Sequence, residues 1–185
     1  AEAADVLFEL LVVEPSPRAT SRGRNEAVRE LRHAFLEHHL RRWDLQADVR
    51  LTTGRQRTKF DVAVGRERVA QLTQVWSFDL QRMEPLRERL QAANFVTYRL
   101  RKQGGELTTP GRKQDPVEVS QDVPVRVLYV PPVKDIQREV FDEAREAWRD
   151  LDVRPVPLSE VDSIAEEAER LLRASRFANG EGLLT

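Results

Sequence analysis

Between Lys59 and Phe78 the chain reads KFDVAVGRERVAQLTQVWSF, two runs of strand-forming residues turning at Gly65. Three polar residues interrupt this apolar hairpin: Asp61 on the first strand, and Gln71 and Gln74 on the second. A carboxylate or amide buried between apolar neighbours costs free energy unless it is hydrogen-bonded, charge-paired or put to use. The hairpin therefore fixes a sheet-based fold and marks its own candidate site.

The flanking segments supply the rest of a sheet and its helices. Val28, Leu31, Phe35, His39 or Leu40 and Trp43 recur at helical spacing, which predicts a helix over Asn25–Trp43 with Asn25 as its N-cap. Gln46–Thr52 alternates as a strand and leads into the hairpin through a basic turn at Gly54. Leu80–Lys102 returns to helical period, with a break expected near Asn94 because Phe95–Tyr98 favours strand, and Gly104–Gly105 stops it. Residues 106–122 are polar and carry two prolines, the pattern of a long loop or an added hairpin. Val123–Val130 reads as a strand, Asp135–Leu151 as a helix, Val153–Leu158 as a short strand, and Glu160–Arg173 as a helix preceded by Ser159. The tail from Ala174 is expected to fray. Residues 4–13 read as either strand or short helix, and Pro15 to Gly23 as a linker. The expected class is α/β: a mixed β-sheet flanked by helices, with an α-β-β-β-α-β core plus two C-terminal helices. Residues 1–23 are taken as an N-terminal segment and linker, and 24–185 as one domain.

Composition narrows the chemistry. Hydrophobic residues at 40% and charged residues at 33% suit a water-soluble globular domain. There is no cysteine, which removes disulfides, zinc–thiolate sites and cysteine nucleophiles and fits a reducing, cytoplasmic setting. The longest apolar run, Val6–Val13, is too short to span a bilayer, so no membrane association is expected. No Walker loop, dinucleotide fingerprint or nucleophile elbow is present. Net charge is −1, but residues 1–113 hold 21 Lys/Arg against 15 Asp/Glu, while residues 114–185 hold 9 against 16. A basic half suits phosphates; an acidic half suits solvent, a basic partner or a second copy of the chain.

The element order from Asn25 to Val130, with Asp61 on the second strand and Gln74 on the third, resembles the PD-(D/E)xK, or restriction-endonuclease-like, superfamily. That pattern implies an aspartate on the second strand and, on the third, a Glu or Gln followed two residues later by lysine. Some members add a glutamate from the first helix. Asp61 matches the aspartate and Gln74 the Glu/Gln, with Gln71 as the other choice. The chain departs at the lysine, since Trp76 stands two residues after Gln74 and Thr73 two after Gln71. Lys59 is a candidate for a migrated lysine, and Glu30 or Glu37 for the helix carboxylate.

What the resemblance implies is a nuclease-like domain whose active site is degenerate. The expectation is a non-cleaving domain that binds nucleic acid or a protein partner, in a bacterial or phage defence or mobile-element context, and needs no cofactor. The alternatives are a Mg²⁺-dependent nuclease, with Asp61 and Gln74 holding the metal and Glu30 or Glu37 assisting, and a pure protein-interaction or dimerisation module. Two basic clusters are candidate phosphate contacts: Arg55, Arg57 and Lys59 ahead of Asp61, and Arg99, Arg101, Lys102, Arg112 and Lys113 around the glycine pair. His33 and Glu37, four apart on one helix, are a further possible metal pair.

Overall fold

The computed structural model describes residues 22–111 and 115–178. Among these residues seven strands, β1 to β7 in chain order, form one mixed sheet with the spatial order 5-4-1-2-3-6-7. Strands β1 (Leu45–Thr53), β2 (Gln56–Val64) and β3 (Gln71–Ser77) make an antiparallel meander. Helix α2 (Glu84–Gln103) and the short hairpin β4 (Gly105–Thr108) and β5 (Val117–Val119) follow. Then β6 (Val125–Val130) pairs parallel to β3, and helix α3 (Asp135–Asp150) leads to β7 (Val153–Pro157), parallel to β6. Helices α1 (Arg22–Glu37) and α4 (Val161–Ala178) open and close the described chain. Residues 4–13, for which strand and helix were both open, lie outside the described residues.

Each face of the sheet has its own core. Leu86, Leu90, Val96 and Leu100 of α2 and Val140, Ala144 and Trp148 of α3 pack over Val49, Phe60, Leu72 and Phe78. On the other face Ala27, Leu31 and Phe35 of α1 and Ile164, Ala165 and Ala168 of α4 cover Val62, Val64, Val75 and Leu128. Helical spacing places each of these side chains on one stripe, and their removal from water is the main force holding the layers together.

Some boundaries differ from the sequence reading. Helix α1 already includes Arg22 and Gly23 of the expected linker, so Asn25 lies within it rather than capping it. It ends at Glu37, not Trp43, because His39 takes a left-handed conformation (φ 60°) and the Leu40 N–H turns back to the Phe35 carbonyl. Helix α2 runs unbroken through Phe95–Tyr98, since Val96, Thr97 and Leu100 are buried and packing outweighs local propensity. Residues 106–122 contribute β4 and β5, the added hairpin. Helix α4 continues to Ala178, past the residue where fraying was expected.

Asn94, at the expected break, accepts the indole N–H of Trp148 at 3.1 Å and ties α2 to α3. Trp148 is 2% exposed, so its N–H has little water to turn to. An Asn94→Ala variant is expected to lose about 1–2 kcal/mol of stability, read as a shifted urea midpoint at unchanged slope.

A candidate phosphate-binding fork between strands β2 and β3

The sheet opens at Asp61. Strands β2 and β3 pair only from Val62–Val64 to Gln71–Thr73, and the same register would set Asp61 opposite Gln74. On the other side, β1 and β2 keep one register from Leu45 to Thr53 except at the missing Asp48–Asp61 rung. Asp48 is left-handed (φ 55°), and β1 reverses its faces there. Leu45 packs with α1 and α4, while Val49 packs with α2 and α3. Strand β2 reverses likewise, with Phe60 on one core and Val62 on the other. Asp61 sits at this crossover.

Side chains close the gap that the backbone leaves. Asp61 is 4% exposed, and its Oδ2 accepts the Val75 N–H at 2.7 Å. The Gln74 amide donates to the Lys59 carbonyl at 2.8 Å and accepts the Trp76 indole N–H at 3.4 Å. Arg24, from the first turns of α1, completes the fork. Its Nη2 donates to Asp61 Oδ1 at 2.5 Å, and its Nε donates to the Val75 carbonyl at 3.0 Å. One guanidinium thus holds two hard oxygens from adjacent strands, which its planar set of donors suits.

A cleft of about 290 Å³ opens over this fork. Arg57 and Lys59 of β2, Arg24 of α1 and Arg89 of α2 line it, with Asp61 the one carboxylate among the described residues that do so. Lys59 also reaches Asp48 Oδ1 at 2.8 Å, and Arg32 of α1 reaches Asp48 Oδ2 at 3.3 Å. The hydrogen bond from Lys59 is the main cause holding the Asp48 carboxyl below its ordinary range. Arg89 lies over the Trp76 ring, 5.3 Å from its centroid. Arg50, opposite Lys59 on β1, extends the basic surface, while Glu106 and Glu118, paired across β4 and β5, bound it with negative charge.

The divalent ion implied by the resemblance does not fit these donors as arranged. Mg²⁺ takes hard oxygens in a near-octahedral shell and usually one or two carboxylates. Here both oxygens of Asp61 accept protein hydrogen bonds, and Gln74 offers a neutral amide already bound to Trp76 and Lys59. Among the described residues no group of three His, Asp or Glu side chains is placed to hold a metal.

The fork brings together Asp61, Gln74, Arg57 and Lys59 of the residues singled out by sequence. Gln71, the other choice, is fully buried beneath α4, with its amide turned to Thr73 Oγ1 and the Ile164 carbonyl. Glu30 and Glu37 are exposed and do not line the cleft; Glu37 instead reaches His33 Nδ1 at 3.1 Å. Arg55 is exposed in the β1–β2 turn, and Arg99 lies against that turn at Gly54. Arg101 is bound to the carbonyls of Gln121, Val123, Leu151 and Asp152, tying α2 to two loops, and burial lowers its pKa. Lys102 rests over the Tyr98 ring. Arg112 and Lys113 lie outside the described residues. Arg24 and Arg89 were not singled out from sequence, where neither shares a motif with Asp61.

No helix among the described residues is long and apolar enough to cross a membrane. Comparison with protein-family models, with curated proteins and with solved structures finds no match to this chain.

Proposed function

We propose that this is a non-cleaving, nuclease-like domain that binds the phosphate backbone of nucleic acid at the β2–β3 fork. The observation that carries this reading is the Arg24 guanidinium seated on Asp61 and the Val75 carbonyl. It occupies and neutralises the carboxylate that a Mg²⁺-dependent nuclease would use, and Arg57, Lys59 and Arg89 then supply the positive charge of the cleft. The parallel pairing of β6 with β3 beside an antiparallel meander supports the nuclease-like reading, because it agrees with the element order behind the resemblance. Trp76 in place of lysine supports the absence of cleavage, because an indole N–H bound to Gln74 neither activates water nor steadies a developing charge.

Binding of this kind is carried by Arg57, Lys59 and Arg89 around the cleft, with Arg50 beside it, and reads phosphates rather than base edges. Gel shifts on DNA and RNA oligonucleotides should show complexes in Mg²⁺, Mn²⁺ and EDTA alike, with no cut product. Affinity should fall steeply with salt, and Arg57→Ala and Arg89→Ala should each flatten the log–log salt slope by about one. Replacing Glu106 with Gln should leave the slope unchanged. Metal-dependent cutting abolished by Asp61→Ala would instead establish the nuclease reading, and no complex with either nucleic acid would leave a protein-interaction module.

A further inference from the structure

We infer that Arg24 is a resident cation, a side chain standing where a divalent metal ion would stand between β2 and β3. The geometry rests on three contacts. The guanidinium touches a buried carboxylate oxygen and a backbone carbonyl oxygen, two ligand types that Mg²⁺ and Mn²⁺ favour. The second carboxylate oxygen is fixed by the Val75 N–H, so Asp61 is held in place by the sheet as well as by the arginine. The fork is therefore a preformed oxygen site filled by the protein's own charge.

Such an arrangement has two consequences. A buried carboxylate has a hydrogen-bonded cation beside it without any metal, which offsets part of its desolvation. The cleft also stays cationic whatever the metal concentration, since Arg24 offsets Asp61 and the charges of Arg57, Lys59 and Arg89 remain. Anion binding at the fork is then independent of divalent ions; this consequence rests on the phosphate-binding reading above, whereas the cation replacement does not.

The test uses Mn²⁺ alone, without nucleic acid. The wild-type domain should show no Asp61-dependent Mn²⁺ binding at millimolar concentration, by titration calorimetry and by electron paramagnetic resonance of unbound Mn²⁺. An Arg24→Ala variant should bind one Mn²⁺ and melt at a higher temperature with it than in EDTA. Arg24→Lys should behave like wild type, and adding Asp61→Asn to Arg24→Ala should abolish the binding. If Arg24→Ala is unfolded in EDTA, Mn²⁺ should restore its structure. A wild-type domain that binds Mn²⁺ through Asp61, or an Arg24→Ala variant that neither binds Mn²⁺ nor is rescued by it, overturns the inference. Failure to bind nucleic acid would overturn the proposed function and leave this result standing.

Discussion

An Asp61→Ala variant is expected to lose about 2–4 kcal/mol of folding stability, a large share of what a domain of this size has. The substitution removes one small side chain, but it takes an acceptor from two donors. The Val75 N–H loses its acceptor inside the sheet, and the Arg24 guanidinium loses its charge-assisted hydrogen bond to Asp61 Oδ1. A buried N–H left without an acceptor costs about 1–3 kcal/mol, and a lost hydrogen bond to a charged group about 1.5–3 kcal/mol. Asp61→Asn keeps an oxygen for the Val75 N–H, so its cost should be nearer 1–2 kcal/mol. Urea unfolding followed by tryptophan fluorescence would measure both. Catalytic carboxylates behave in the opposite way, because sites built for reactivity are often destabilised and their removal can leave a protein more stable. An Asp61→Ala domain as stable as wild type would mean that the carboxylate is held for a ligand rather than for the fold, and the resident-cation account would fall with that result.

The sheet and most of its helices were legible because their signals are local. Helices α3 and α4 follow from one apolar stripe each, and the β2–β3 hairpin from strand formers around Gly65. Asp61 stood out because a carboxylate amid Phe60, Val62 and Val64 must have a reason to be there. What that reason is could not be read locally. Arg24 lies 37 residues away from Asp61 along the chain, at the edge of what reads as a linker, and only the docking of α1 brings it to the fork. Arg101 shows the converse error. It looked like a phosphate contact within a basic cluster, yet it binds four carbonyls at the ends of loops. Charge can be counted from sequence, but whether an arginine faces solvent or a set of carbonyls is decided by tertiary packing. The early end of α1 is of the same kind, since it depends on His39 adopting a conformation usually left to glycine or asparagine.

The second large effect is expected where β6 meets α4, at Glu167. Arg126 of β6 and Glu167 of α4 form a two-point pair, with Nε to Oε2 at 2.7 Å and Nη2 to Oε1 at 2.5 Å. Their side chains are only 11% and 15% exposed, and Arg154 and Arg170 approach the same carboxylate at 3.6 and 3.8 Å. The hydrogen bonds from Arg126 are the main cause holding the Glu167 carboxyl below its ordinary value of 4.5. A carboxyl whose pKa is lower folded than unfolded binds fewer protons in the native state. Its stabilising contribution is therefore complete above about pH 4.5 and is lost as the pH falls through the folded value. At pH 7 a Glu167→Ala variant should be less stable by about 3–5 kcal/mol, because Arg126 is left charged beneath α4. On acidification the gap to wild type should narrow, since wild type then gives up the same carboxylate by protonation. The Asp48 carboxyl is also held low, but it is more than half exposed, and its pairing with Lys59 contributes little to this limb. Denaturant midpoints of both proteins between pH 3 and pH 7 would decide the matter. Parallel curves across that range would show that α4 is held by its apolar stripe alone.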